Sequence, residues 1–336
     1  MGWRAACGAA LAGALAIAAC APTPPGRPAP RRATLAEVVD SIANSPPLDR
    51  THWGIEVYDP ASGRTLLALN PQRHFIPASN MKLVVTAVGL AELGPDYRYR
   101  TELSARRAPG DSIAELLVIA GRGDPTWSER FHENAWAPAD SLADSVALAG
   151  IRRVRGELVV DASYFDRELV NSTWEVGDLG FGYAAPVAAL AVEEGTFRYE
   201  VAPGAAVGEP ARVTALTPPG AVLILNRLVT DTAGARRRIE VSRRVGSDTL
   251  TLVGSVPLGA APDTLRLAVG DPAAYAGRVL AAALEARGIE LEGGVRVVYD
   301  SLEAAALRAG SAPDSAALDS AAIAPAAGDR GAAPLV

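Results

Sequence analysis

The chain has 336 residues, 49% hydrophobic and 21% charged, enough to bury a sizeable core and to divide into two or three domains. A net charge of −6 and an isoelectric point near 5.3 exclude a nucleic-acid surface, which needs clustered positive charge. His52, His74 and His132 are scattered without paired ligand spacing, and Gly121-Arg122-Gly123 runs into Asp-Pro rather than a helix, so neither a metal nor a cofactor is expected.

The first residues read as an export signal. Arg4 gives a positive start, and the apolar run from Ala5 to Ala19 is too short to span a bilayer comfortably. Ile17-Ala18-Ala19-Cys20 resembles the bacterial lipobox, so residues 1–20 are expected to be a lipoprotein-type signal and Cys20 the lipidated anchor. Cys7 is lost with that signal, which leaves no pair for a disulfide within the monomer. Residues 21–33 carry five prolines and three arginines and read as an extended tether.

Thr34 to Asn44 has the spacing of an amphipathic helix, with Leu35, Val38, Val39 and Ile42 on one side. Two strand-like runs, Trp53 to Tyr58 and Thr65 to Leu69, flank the turn-forming Asp59-Pro60-Ala61-Ser62-Gly63 and predict a hairpin. Pro77 then opens a helix whose residues from Leu83 to Leu93 are apolar all round, the pattern of a helix buried on every side, stopped by Gly94-Pro95. Short strands follow over 97–106, 112–120 and 154–160, with a helix around 139–148. From Thr196 to Leu267 the pattern is β throughout, notably over 221–229, 238–245 and 249–253; the basic residues Arg236 to Arg244 read as a solvated strand face. Asp271-Pro272 starts another helix to Gly288, with Asp as cap and Pro at the first position. Residues 289–299 form a further strand, and residues 301–336 are low in complexity and expected to be without structure.

Of the 32 lysine and arginine residues only Lys82 is lysine. Arginine stays protonated in proteins, whereas a desolvated lysine can lose its proton and serve as a base. Ser79 lies three residues earlier, so a hydroxyl and an amine fall on one helix face at its N-terminal end. There the backbone N–H groups and the dipole favour a developing negative charge. This is the arrangement of a nucleophile beside its activator.

Around that pair stands His74-Phe75-Ile76-Pro77-Ala78-Ser79-Asn80-Met81-Lys82-Leu83, followed by Leu93-Gly94-Pro95-Asp96-Tyr97 and Gly121-Arg122-Gly123-Asp124-Pro125-Thr126. Further on come Gly156 to Asp161, Phe165, Trp174, Tyr183-Ala184-Ala185-Pro186, Gly270-Asp271-Pro272-Ala273-Ala274-Tyr275 and Arg287-Gly288-Ile289. In this order they resemble the D-alanyl-D-alanine carboxypeptidase/endopeptidase branch of the penicillin-binding proteins, over about residues 35 to 298. The resemblance implies an α+β, transpeptidase/β-lactamase-like domain, an antiparallel sheet with helices, over 34–96 and again over 268–300. Inserted mostly-β domains would occupy 97–267. It implies a serine D,D-peptidase acting on peptidoglycan stem peptides, with Ser79 as nucleophile and Lys82 as its base. β-Lactams would acylate the same serine, and the protein would sit in the periplasm or envelope of a bacterium, held to the membrane by its lipid. Asp161 stands where the family's inserted domain could help hold a diamino-acid side chain of the substrate, although a strand-end carboxylate is usually only solvated.

The sequence departs from that family in lacking its Ser-x-Asn and Lys-Thr-Gly elements. The expectation is therefore an incomplete gene product or a remnant, with slow acylation at best and an apolar patch exposed where strands are missing. Two other readings stay open, a lipid-anchored wall-binding protein without catalysis and a β-lactam hydrolase or esterase of the same superfamily.

Overall fold

The computed structural model describes residues 31–217, 222–244, 247, 249–309 and 318–319. The expected signal, Cys20, most of the tether and all other residues beyond 309 lie outside these. The chain divides into two compact units, residues 1–95 and 96–336.

In the first unit, α1 (Leu35–Ala43) begins at a reciprocal cap. The Thr34 hydroxyl accepts the Glu37 N–H at 3.3 Å, and the Glu37 carboxylate accepts the Thr34 N–H at 2.7 Å. Two donors that a helix start leaves unpaired are thereby satisfied. Strands β1 (Ile55–Asp59) and β2 (Arg64–Leu69) form the antiparallel hairpin expected, its turn held by the Asp59 carboxylate, which accepts the Ala61 N–H at 3.0 Å. Then α2 (Met81–Leu93) runs to Gly94, whose φ of +80° suits glycine alone without strain.

The expectation that α2 is buried on all sides is not met. Leu83 is 74% exposed, and Val84, Val85, Val88, Leu90 and Leu93 are all more than half exposed. Among the described residues of this unit, one short helix, a two-stranded hairpin and single 3-10 turns accompany it, too little surface to cover a helix apolar all round. The described residues show the exposed apolar patch that was expected.

The second unit starts with β3 (Glu102–Arg106), β4 (Ile113–Ala114), β5 (Leu116–Ala120), α3 (Ala137–Leu148), β6 (Arg153–Val154) and β7 (Leu158–Asp161). It continues through β8 (Thr196–Ala202), β9 (Arg212–Ala215), β10 (Leu223–Asp231), β11 (Arg238–Arg243), β12 (Thr249–Pro257) and β13 (Asp263–Ala268). These are followed by α4 (Pro272–Ala286), β14 (Glu290–Leu291), β15 (Val295–Val298), α5 (Ser301–Ala309) and β16 (Leu318–Asp319). Its main sheet has the order β15-β7-β5-β3-β16, with β15, β7 and β5 mutually parallel and the last two pairings antiparallel. β5 and β7 are buried at every residue, which is why both read as continuous apolar runs rather than alternating ones. Leu117, Ile119, Leu158 and Val160 face a core shared with Leu142 and Val146 of α3 and Val279, Leu280 and Leu284 of α4. Leu116, Val118, Val159 and Val298 form a second cluster with Ala304 of α5.

Residues 196–268 are as β-rich as expected: β13-β8-β9 is antiparallel, and β10-β12-β11 contains a parallel pair. Residues 97–161, by contrast, place the helix α3 between β3 to β5 and β6 and β7.

Residues 268–300 lie within the second unit, where β15 adds to the main sheet beside β7 and α4 packs on it. The approach is close, because a Cβ on Gly277 would come within 2.6 Å of Val295 and 2.7 Å of Val160. Residues 301–309, expected without structure, form α5. It is capped by Asp300, whose carboxylate accepts the Glu303 N–H at 2.8 Å, and it covers the apolar face that α3 and α4 leave open. The Asp271 cap is as read, accepting the Ala274 N–H at 2.9 Å with Pro272 first in the helix.

Arg287, at the end of α4, grips α3. Its Nε and Nη2 donate to both Asp144 oxygens at 2.5 and 3.0 Å, and Nη1 donates to Asp140 at 2.9 Å. This fork holds the Asp144 carboxyl below the ordinary aspartate range, against a smaller opposing effect of burial. A depressed carboxyl contributes stability above its unfolded pKa and loses it as pH falls through the folded one. Arg287→Met is expected to lower the melting temperature at pH 7, with the gap to the parent narrowing as pH falls below about 4; thermal melts over pH 3 to 7 check this.

Candidate active site

Ser79 sits in a 3-10 turn, Ala78–Asn80, that runs directly into α2. The Asn80 N–H donates to the Pro77 carbonyl at 2.9 Å, which closes the turn. Pro77 presets the first residue of this entry. Ala78 then adopts a φ of +44°, in the left-handed region where a Cβ is disfavoured. Such strain costs on the order of 1 kcal/mol and clusters at functional positions. It falls on the residue just before the serine. Nothing in the sequence announces it, since an alanine carries no sign of a positive φ.

The two side chains named from the sequence are together. Lys82 Nζ donates to Ser79 Oγ at 3.0 Å, one helical turn apart on the same face. That separation is within reach of proton transfer between the groups. Both residues are exposed, so the desolvation that the sequence reading expected around the lysine is not supplied by the described residues. Thr86 donates its hydroxyl to the Lys82 carbonyl at 2.6 Å, tying the helix behind the pair. Two N–H groups of this helix start are already taken, Asn80 donating to the Pro77 carbonyl and Met81 to the Ala78 carbonyl.

Asp161, at the end of β7, is fully buried. One oxygen accepts the Ser163 N–H at 3.0 Å and its hydroxyl at 2.6 Å, and the other is paired with Arg308 of α5, with Arg122 4.0 Å away. It is not the solvated strand-end carboxylate that sequence reasoning allowed for. Sequence reading missed Arg308, because it lies in the stretch set aside as unstructured.

The family model for D-Ala-D-Ala carboxypeptidase 3 (S13) matches residues 35–318, from α1 to β16. The chain belongs to that family. It is 37% identical over 272 residues to a D-alanyl-D-alanine carboxypeptidase of Actinomadura sp. (strain R39), covering 79% of this chain and 49% of that protein. It is 23% identical over 261 residues to a penicillin-sensitive carboxypeptidase A of Dictyostelium discoideum, covering 72% of this chain and 49% of the relative. The chain thus spans about half the length of these curated relatives. Among solved structures, penicillin binding protein 4 of Haemophilus influenzae superposes with a TM-score of 0.63 at 20% identity, over 74% of this chain and 53% of that one. The same protein complexed with a β-lactam gives 0.56 at 18% identity. At such identities the likeness concerns the fold, and it is the penicillin-binding-protein fold expected from the motifs.

If the left-handed Ala78 stores strain, a β-branched side chain there worsens it and glycine relieves it. Ala78→Val should therefore lower stability by about 1–2 kcal/mol and Ala78→Gly should not, in denaturant melts followed by circular dichroism.

Proposed function

We propose that the chain carries the acylating half of a serine D,D-peptidase acting on the D-Ala-D-Ala end of peptidoglycan stem peptides. The observation that carries the reading is the 3.0 Å contact between the single lysine and a serine at a helix start, in a chain of the S13 family. Lys82 acts as the base that takes the Ser79 proton while Oγ attacks the carbonyl carbon of the penultimate residue. The oxyanion forms at the helix start, where N–H donors and the dipole favour it. The peptide C–N bond breaks, the proton passes to the departing amine of D-alanine, and Ser79 is left as an ester. Water then releases the acyl group as a carboxylate. A β-lactam amide would open by the same attack, which makes such compounds acylating inhibitors.

Neither Ser-x-Asn nor Lys-Thr-Gly occurs in these residues. Each would supply a preorganised group, and the loss of one such group costs about 10² or more in rate, so turnover by the 336-residue chain is slow. Cys20, behind its apolar leader, is the proposed point of lipid attachment, which would hold the protein to a bacterial membrane facing the cell wall. The exposure of both Ser79 and Lys82 favours one second reading, a lipid-anchored wall-binding protein without catalysis.

The test is the release of D-alanine from a stem pentapeptide ending in D-Ala-D-Ala by the purified chain from Cys20 onward. The expected result is slow release, absent in Ser79→Ala and at least ~10²-fold slower in Lys82→Arg, which keeps the charge but cannot act as a base. Release by Ser79→Ala at the parent rate would overturn the assignment. Retention on peptidoglycan with no release by the parent chain would favour the wall-binding reading.

A further inference from the structure

The turn that carries Ser79 is fixed on its downstream side by α2 and by the Asn80 N–H bonded to the Pro77 carbonyl. On its upstream side the hairpin ends at Asn70, whose φ is +50° and whose side-chain amide donates to the Trp53 carbonyl at 2.8 Å. The Arg73 N–H donates to the Asn70 carbonyl at 3.1 Å and closes a turn there. His74, Phe75 and Ile76 then cross to Pro77 without a hydrogen bond among the described residues, and Ile76 is 92% exposed. Hydrogen bonding therefore does not hold this span.

Phe75 holds it instead. Its ring stacks on the His52 imidazole, with centroids 4.9 Å apart and planes within 19°. A Cβ on Gly54 would run into Cδ2, Cε2 and Cζ of the same ring, so the ring rests directly on the Gly54 backbone, an approach that only glycine permits. Both partners belong to the stretch that leads into β1, and Trp53 between them is tied back by its indole N–H, which donates to the Leu48 carbonyl at 3.1 Å. Phe75 is nonetheless 43% exposed, so its burial contributes only part of what a core phenylalanine would.

A left-handed alanine persists only where its surroundings fix both ends of the segment. Ala78, at a φ of +44°, lies three residues after Phe75 and one before Ser79. With the ring released, Ala78 can return to an ordinary negative φ, and rotation at that residue swings Ser79 away from Lys82. We propose that Phe75, stacked on His52 and seated on Gly54, is a positioning residue that holds the strained turn and through it the 3.0 Å contact between Ser79 and Lys82. Phe75 acts through the backbone alone. The inference rests on the proposed function for what the positioned pair does, but not for the positioning itself.

The single lysine makes a specific test possible. In the chain from Cys20 onward, labelled with carbon-13 at lysine Cε, one NMR signal reports Lys82, and Ser79→Ala shows where that signal lies once the contact is gone. Phe75→Ala is expected to move the signal to that position. It is also expected to slow acylation by a saturating tagged penicillin at least ~10-fold, with a smaller change in the half-saturating concentration. Phe75→Tyr, which keeps the ring, should retain the signal and the rate of the parent, whereas Gly54→Ala, which displaces the ring, should act like Phe75→Ala. Should circular dichroism find Phe75→Ala unfolded, Gly54→Ala and His52→Ala decide the matter. A parent chain that takes no penicillin, with the lysine signal still moved by Phe75→Ala, would overturn the proposed function and support the positioning. An unmoved signal in the folded Phe75→Ala and Gly54→Ala chains, or Phe75→Tyr behaving like Phe75→Ala, would overturn the inference.

Discussion

One turn of helix sets the distance on which the proposed chemistry depends. Ser79 and Lys82 meet because positions three apart share a face, and the 3-10 entry through Ala78 to Asn80 brings the serine to the helix mouth rather than into its barrel. The hydroxyl thus has an amine on one side and the positive end of the helix on the other. The strain at Ala78 is the local cost of that placement.

The helix behind the pair explains the composition of its sequence. Α rigid apolar cylinder from Leu83 to Leu93 is well suited to hold a nucleophile still, yet its apolar faces lie open among the described residues. Exposed apolar area of this kind is a liability in isolation and marks a surface made to be covered. The second unit is built on the opposite principle. Its sheet is sandwiched, with α3 and α4 on one face and α5 on the other, and its long-range pairs, such as Arg287 with Asp140 and Asp144, lock helix to helix.

Much of this was legible from residue order. The serine–lysine spacing, the Asp271-Pro272 helix start, the Asp59 to Gly63 turn and the β-rich run after Thr196 all follow from local chemistry, and the structure has them in place. What escaped were features fixed by distant contacts. α5 hides because Ala304 is its buried residue, and an alanine in an alanine-rich stretch gives no periodic signal until the sheet face it covers is known. The sheet that β15 joins escaped for a similar reason: β15 reads as a strand from its own residues, but only its partner β7 says where it pairs. Asp161 looked like a solvated strand end, because its partner Arg308 is far along the chain.

The central claim is that Ser79 is the reactive atom's owner and that nothing else in the chain substitutes for it. The measurement that tests it most directly is to treat the purified chain with a tagged penicillin, digest it, and locate the tag by fragment-ion mass spectrometry. The account predicts one penicilloyl group, on Ser79, and none on the Ser79→Ala chain. A tag on any other side chain, or no tag on a chain that circular dichroism finds folded, would contradict it.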